Sequence, residues 1–331
     1  MRRLAAWLLT AGTLLVASGT AAGCSAAPGL AYAQGATRPS ASVGRSAASA
    51  TAKVPASARP KTEPARPGLT VSGAPSGVKA KAGILIDAAT GQVLWARNAD
   101  AVRPIASIAK VMSALVILQA GGLNRKIVVP AAVTGYVAKN QANAAGLIPG
   151  QVFTADQLLH VMMVVSAADA AYALASAYGP GLPGFIAKMN AEAARLGLAH
   201  THFTSPDGLP YPTETSTYST AAELVRLGEA AMGYPEFRSV VDLRAYNLPR
   251  GAGHDAISVS TDSYFLRTYP GAVGIKTGFT NAAGHTLLFE AVRGGRTLTG
   301  DVLGSSVNGF AAAALDSANV LNWGFSLKQP S

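Results

Sequence analysis

Cysteine is almost absent from this sequence. Cys24 is the only cysteine among 331 residues, so no disulfide can form within the chain. Its position near the N-terminus also excludes a cysteine nucleophile or a cysteine-ligated metal in the globular part. The stability of the protein must therefore come from its hydrophobic core.

The globular part also lacks a strong net charge, although the whole chain carries +10. Residues 34–81 hold eight basic residues and one acidic residue, whereas residues 82–331 hold 17 basic and 16 acidic residues. Aromatic residues do not interleave with the basic segment, so a nucleic-acid reader is not indicated. The basic segment is either a solvated spacer or a weak contact to anionic wall polymer or lipid headgroups.

No long apolar run typical of a membrane span is present, but the N-terminus has a short one. Arg2 and Arg3 precede an apolar stretch followed by small residues, which predicts an export signal over residues 1–33. The signal could be processed in two ways. It could be cleaved after the Ala-Tyr-Ala that ends at Ala33, or Cys24 could be lipidated within a lipobox-like sequence. Residues 34–80, rich in Ala, Ser and Pro, predict a disordered basic linker, and residues 81–327 the globular domain.

Strand patterns occur at both ends of the globular part, with helical patterns between them. Residues 83–97 predict a hairpin, residues 146–153 a hairpin-like region, and residues 272–303 three strands. Helices are expected over residues 107–119, 154–164, 168–178, 182–196, 220–232 and 310–323. Capping boxes are expected at the start of two of them, formed by Thr154 with Gln157 and by Thr220 with Glu223. This order predicts an α/β fold in which an antiparallel sheet of about five strands, drawn from both chain ends, packs with a helical block.

Ser107 and Lys110 open the first long helix and are the main candidates for chemistry. Residues three apart lie on one helical face, so the hydroxyl and the amine can meet. A desolvated lysine can act as the base that activates a serine hydroxyl. The residues that follow Lys110 are almost all apolar, which predicts a buried helix in which a lysine requires a specific role.

Two further segments could complete a site. Lys276, Thr277 and Gly278 end a predicted strand, where a lysine and a threonine can hold a carboxylate and glycine permits close approach of a substrate. Ser166 lies at a junction between two predicted helices, three residues before Asp169. Taken singly, each of these segments is better explained by a turn or a helix cap than by a site.

In this order, the three segments resemble the motifs of penicillin-binding proteins and serine β-lactamases. Flanking segments, among them residues 188–198, 201–209, 218–220 and 323–325, resemble the D-alanyl-D-alanine carboxypeptidases specifically. The resemblance covers about residues 80–325 and implies the DD-peptidase/β-lactamase-like fold. It also implies a penicillin-sensitive, serine-type carboxypeptidase on the outer side of a bacterial cytoplasmic membrane, secreted or lipid-anchored. Its substrates would be peptidoglycan stem peptides, and β-lactams would be covalent inhibitors.

The resemblance also implies a role for each matching residue. Ser107 would be the acylated nucleophile, Lys110 its base and Ser166 a proton relay. Lys276 and Thr277 would hold the terminal carboxylate beside Gly278, and the main-chain N–H groups of Ser107 and Phe279 would form the oxyanion hole. No cofactor is implied.

Two departures from the family pattern stand against full activity. Ala168 occupies the position of an asparagine that normally contacts the catalytic lysine, and we consider Asn140 or Asn143 as replacements. Residues 305–322 contain no arginine or lysine, where relatives place an arginine for the substrate carboxylate, which leaves Arg250 or Arg267 as candidates. The alternative function is a catalytically weak or inactive homologue that binds wall peptides or is a structural wall protein.

Other chemistry is weakly indicated. His200 and His202 are spaced like a pair of metal ligands, but no third ligand cluster accompanies them. A β-lactamase would need a carboxylate that holds the deacylating water, and Glu214 is the nearest candidate by position. Its surroundings lack the expected pattern.

Overall fold

The structure is a computed structural model and describes residues 70–328. The predicted export signal, Cys24 and residues 34–69 of the predicted linker lie outside the described residues. The strands are β1 Ala82–Asp87, β2 Val93–Arg97, β3 Arg103–Pro104, β4 Lys126–Val128, β5 Val152–Thr154, β6 Tyr218–Ser219, β7 Ala245–Leu248, β8 Ile257–Ser260, β9 Ala272–Thr280, β10 Gly284–Arg293 and β11 Arg296–Leu303. The helices are α1 Ala109–Ala120, α2 Val133–Asn140, α3 Ala155–Val164, α4 Ala168–Tyr178, α5 Gly181–Arg195, α6 Ala221–Met232, α7 Pro235–Val241, α8 Tyr264–Thr268 and α9 Ala312–Ser326.

Five strands from both ends of the domain form the main sheet. Their order is β2-β1-β11-β10-β9, and all neighbours are antiparallel. The C-terminal strand β11 therefore lies beside the N-terminal strand β1, with Leu85 opposite Gly300. The predicted α/β fold is confirmed, and β9 is left as an edge strand of this sheet.

Alternating residues of the strands bury their side chains on opposite faces of the sheet. Leu85, Phe289 and Val302 belong to a core cluster shared with α9. Ile84 and Leu288 belong to a larger cluster shared with the helical block. Because side chains alternate along a strand, α8 and α9 cover one face of the sheet and the helical block covers the other.

Helix α1 lies at the centre of the helical block. Every residue from Ala109 to Leu118 is buried, so the helix has no solvent-facing side. Its N-terminus follows a single 3-10 turn, Ala106–Ile108, which contains Ser107. Burial of the whole helix places the lysine that it carries, Lys110, inside the protein.

One boundary and one strand pairing differ from the sequence-based expectations. Residues 70–80, assigned above to the end of the linker, contact the domain. Val78 and Ala80 are buried, and the N–H of Lys79 donates to Asp316 Oδ1 at 2.7 Å. The prediction of a hairpin over residues 146–153 was wrong, because β5 pairs with the distant strand β4.

Within residues 70–328, no helix has the length and apolar character needed to cross a bilayer.

Candidate active site

Ser107 and Lys110 meet as the helical spacing predicted. Lys110 Nζ donates to Ser107 Oγ at 3.0 Å and to the main-chain oxygen of Asp207 at 3.1 Å. Ala106, which precedes the serine, has φ 48°, a left-handed conformation uncommon outside glycine. The turn thus aims the hydroxyl toward the lysine at the start of a buried helix.

Burial prepares Lys110 to act as a base. Its side chain is 2% exposed, and desolvation lowers the pKa of Lys110 from the ordinary 10.5 to about 8. The nearby charge of Asp207 opposes this lowering of the pKa, and that of Lys276 adds to it. Relative to an ordinary lysine, the neutral amine is about 300-fold more populated at pH 7. A hydroxyl hydrogen-bonded to such an amine can lose its proton as it attacks a carbonyl.

A cavity of about 360 Å³ opens above this pair. Most of the predicted site residues line it, together with Ala168: they are Ser107, Lys110, Ser166, Thr277, Gly278 and Phe279. Lys276 is the exception, since it is 3% exposed and lies behind the cavity wall. The structure therefore brings segments from α1, the α3–α4 junction and β9 to one cleft.

Ser166 is held at the α3–α4 junction in an unusual backbone conformation. Its φ is 62°, and it is 5% exposed on the cavity wall. Left-handed backbone in a residue other than glycine costs of order 1 kcal/mol and is common at functional sites. Asp169 supports this corner, because its carboxylate accepts from the N–H groups of Ala145 and Leu147. The loop that borders the cavity is thereby fixed to the start of α4.

Neither asparagine considered as a replacement at Ala168 reaches Lys110. The side-chain amide of Asn140 donates to Tyr136 O in its own helix, at 2.8 Å. Asn143 lines the cavity, but its amide donates to the main-chain oxygen of Val165. Its own main-chain oxygen accepts from Ala168 N–H at 2.8 Å. Asn143 thus braces the Ser166 corner and leaves the methyl group of Ala168 facing the cavity.

Strand β9 supplies the opposite wall through Thr277, Gly278 and Phe279. Lys276 Nζ donates to the main-chain oxygen and to Oγ1 of Thr277, at 3.1 and 3.2 Å. Thr277 Oγ1 donates in turn to Asp262 Oδ1 at 3.2 Å. Burial lowers the pKa of Lys276, and the Asp262 charge opposes that change. A side chain at Gly278 would meet the nucleophile turn, since its Cβ would lie 3.1 Å from Ser107 N.

The remaining candidates lie elsewhere. Arg250 pairs with Asp255 at 2.9 Å, and neither Arg250 nor Arg267 is among the cavity-lining residues. Glu214 is exposed and does not line the cavity either. Within the described part of the chain, no group of three or more His, Cys, Asp or Glu residues could hold a metal ion.

Sequence reasoning missed four polar residues at or near the site. Asp262 and His285 line the cavity, while Asp207 and Tyr136 lie beneath Lys110. His285 packs its ring 4.5 Å from that of Phe279, and burial lowers the pKa of His285. Asp207 precedes a glycine in a sequence typical of a turn, so its pattern alone indicated no more than a turn.

Comparison with known proteins identifies the family. The family profile described as D-alanyl-D-alanine carboxypeptidase matches residues 69–307. The chain belongs to this family. Among its relatives, a D-alanyl-D-alanine carboxypeptidase of Streptomyces sp. (strain K15) is 36% identical, over 76% of this chain and 88% of that protein. The D-alanyl-D-alanine carboxypeptidase DacB2 of Mycobacterium tuberculosis is 40% identical, over 74% of this chain and 81% of that protein.

Solved structures of the family share the fold. The crystal structure of the Streptomyces K15 DD-transpeptidase has a TM-score of 0.72 and 35% identity, covering 77% of this chain and 100% of that one. A D-alanyl-D-alanine carboxypeptidase structure from Mycobacterium tuberculosis has a TM-score of 0.69 and 36% identity, covering 80% of this chain and 96% of that one.

Proposed function

We propose that this protein is a serine-type D-Ala-D-Ala carboxypeptidase that removes the terminal D-alanine from peptidoglycan stem peptides through an acyl-enzyme. One observation carries the proposal: Lys110 Nζ, buried and with a pKa lowered to about 8, lies 3.0 Å from Ser107 Oγ. The pair lies on the wall of a cleft large enough for the end of a peptide.

Acylation follows from this geometry. Ser107 Oγ attacks the carbonyl carbon of the penultimate D-alanine while neutral Lys110 takes the hydroxyl proton. When the tetrahedral intermediate collapses, the C–N bond breaks and the leaving amine receives a proton that originates on Lys110 and passes through the Ser166 hydroxyl. The products are free D-alanine and an ester on Ser107. Penicillins would acylate the same Ser107 hydroxyl: the β-lactam C–N bond opens, its nitrogen takes the proton, and a penicilloyl ester remains on the enzyme.

Deacylation uses the same base. A water molecule attacks the ester carbonyl, and its proton passes to Lys110 as the new C–O bond forms. The Ser107 oxygen then leaves and regains a proton from Lys110. The free peptide acid and the starting enzyme are restored, with no cofactor required.

Strand β9 is proposed to hold the substrate. Thr277 on the cavity wall, with the Lys276 ammonium behind it, would bind the terminal carboxylate. The main-chain N–H groups of Ser107 and Phe279 would stabilise the oxyanion, and Gly278 permits the close approach of β9 to the nucleophile turn. Phe279, 46% exposed, and Phe310, 59% exposed, would contact apolar parts of the peptide at the mouth.

Labelling with a fluorescent penicillin and release of D-alanine from a pentapeptide mimic test this function together. The wild-type protein should form a covalent label and release D-alanine, and Ser107→Ala should do neither. Label without release would indicate a penicillin-binding homologue that does not turn over its peptide. Absence of both activities in the folded wild-type protein would refute the proposal.

We also propose that the protein acts outside the cytoplasm of a bacterial cell. The basic N-terminal segment and the short apolar run support an export signal over residues 1–33, with a disordered linker before the domain. Lipidation at Cys24 would anchor the protein to the membrane. Metabolic labelling with a fatty acid decides this point, since incorporation lost in Cys24→Ala indicates a lipid anchor and an unlabelled mature protein indicates release.

A further inference from the structure

The segment Ser205–Leu209 packs directly on the residues that carry the chemistry. The Ser113 hydroxyl, on the same face of α1 as Lys110, donates to the main-chain oxygen of Pro206. Lys110 Nζ donates to the next carbonyl, that of Asp207. Gly208 has φ 81°, and a Cβ there would lie 1.8 Å from Ala106 O, so only glycine fits. Successive carbonyls of this segment therefore accept hydrogen bonds from Ser113 and from Lys110, on one face of α1.

The side chain of Asp207 is fully buried beside the base. It is 0% exposed, and both of its carboxylate oxygens accept from the Tyr136 hydroxyl at 3.0 Å. The N–H of Leu209 donates to Oδ1 at 3.2 Å. Burial and the Asp207 charge raise the pKa of Tyr136, so its hydroxyl remains a donor at all working pH values. These hydrogen bonds fix the position of the Asp207 carboxylate.

Several charges act on Lys110, and they come from different elements. Asp207, Asp262 from the loop before α8, and Asp169 from α4 favour its ammonium form, whereas Lys276 from β9 disfavours it. Among the acidic groups, Asp207 has the largest effect on the pKa of Lys110. Burial alone would favour a neutral amine. That amine could accept the Ser107 proton but would be a poor base, with little tendency to retain the proton.

We propose that Asp207, held by Tyr136, is a positioning residue that presents its carbonyl to Lys110 and balances the burial of the amine with a fixed negative charge. The role rests on the proposed function of Lys110 as the base. Asp207 touches no reacting atom and acts only through Lys110.

The pH dependence of acylation tests the proposal. The rate constant for labelling by penicillin is measured from about pH 5 to pH 10 for the wild type, Asp207→Asn and Asp207→Ser. Both variants keep the main-chain carbonyl and remove the charge. The acid limb of the rate profile should move to lower pH by about one pH unit. At pH values well below the pKa of Lys110, the variants should then react up to about tenfold faster than the wild type.

Asp301→Asn is the matched control, because it replaces another fully buried carboxylate that is not among the cavity-lining residues. Its acid limb should coincide with that of the wild type. Folded Asp207 variants whose acid limb is unmoved would refute the proposal, even if their maximal rates fall. If neither neutral variant folds, Asp207 is a structural residue and the proposal is equally refuted.

A measurement without catalysis separates this inference from the proposed function. The titration of Lys110 is followed through NMR of its ε-methylene group, assigned with Lys110→Arg, in the wild type and the Asp207 variants. A wild type that takes no label at any pH refutes the carboxypeptidase, and the NMR titration still tests Asp207. A Lys110 pKa that is equal in wild type and variants refutes the role of Asp207 alone.

Discussion

Asp301, in the centre of the main sheet, is buried without a partner, and its replacement should stabilise the protein. It lies on β11 opposite Ile84 and Leu288, is 0% exposed, and neither carboxylate oxygen has a hydrogen-bond partner. Burial raises the pKa of Asp301 well above its usual range. By contrast, the buried Glu290 on the neighbouring strand is satisfied by Arg238 and Thr299. Asp301→Asn removes the charge and preserves the volume.

The size of the effect depends on pH in a defined way. The carboxyl of Asp301 has a pKa of about 3.8 in the unfolded chain and a raised pKa in the folded one. Below about pH 4 the carboxyl is protonated in both the folded and the unfolded chain, and the full stability of the fold is present. As pH rises toward the folded pKa, the carboxyl ionises only in the unfolded chain, and that stability is lost. In that window, the wild type should lose about 1.4 kcal/mol of unfolding free energy per pH unit relative to Asp301→Asn.

Urea denaturation of both proteins at several pH values from about 4 to 8 measures this difference. The two unfolding free energies should be similar at the lowest pH and diverge steadily above it. Asp100→Asn, at an exposed position, is the control and should show no such divergence. A difference between wild type and Asp301→Asn that does not change with pH would show that Asp301 has the same pKa folded and unfolded. The reasoning from burial would then be refuted.

Three further predictions concern the active site. Because the pKa of Lys110 is about 8, the penicillin labelling rate should fall about tenfold per pH unit below pH 8 and level off above it. A labelling rate that does not change with pH would exclude Lys110 as the base. Gly278→Ala should slow labelling about 10²-fold, since its Cβ would lie 3.1 Å from Ser107 N and displace the nucleophile turn. The control Gly135→Ala, with no atom within 4 Å of the new Cβ, should label at the wild-type rate. Ala168→Asn should raise the rate about 10-fold or more by adding a hydrogen-bonding group to the cavity wall, and an unchanged rate would show that the site is completed otherwise.

The sheet and the central helix could be predicted because their sequence patterns reflect burial directly. The strands expected within residues 272–303 match β9, β10 and β11, although β9 and β10 extend further than expected. The capping box of Thr154 and Gln157 is present with both of its hydrogen bonds. A buried lysine on an apolar helix carried a clear signal, since its burial costs free energy that only a function or a partner offsets.

The second expected capping box shows where local patterns lose their meaning. Thr220 accepts from the N–H of Glu223, as predicted. The Glu223 carboxylate, however, binds His200 and Thr201 from the preceding loop. The tertiary contact therefore takes over the side chain that the local pattern assigned to the helix end.

The groups around Lys110 could not be predicted for a related reason. Asp207 is 97 residues from Lys110 in the sequence. Tyr136, which binds the Asp207 carboxylate, lies on α2, a short helix that the sequence analysis did not predict. The pairing of β4 with β5 was missed in the same way, because each strand has three residues and no alternating pattern of its own. Contacts of this kind depend on the packing of whole elements and leave no periodic trace in the sequence.

The contacts of residues 70–80 determine where the domain can be cut. Arg97 donates to the main-chain oxygens of Val78 and Ala80, and the indole of Trp323 donates to that of Ser72. This segment contacts α9 through Ser72 and Lys79 and is bound by Arg97 of the edge strand β2, so it behaves as part of the folded domain. An expression fragment that starts at residue 81 would expose the apolar surface under Val78 and leave Asp316 without its N–H donor. Limited proteolysis should accordingly leave residues 70–80 attached to the fragment that retains penicillin labelling.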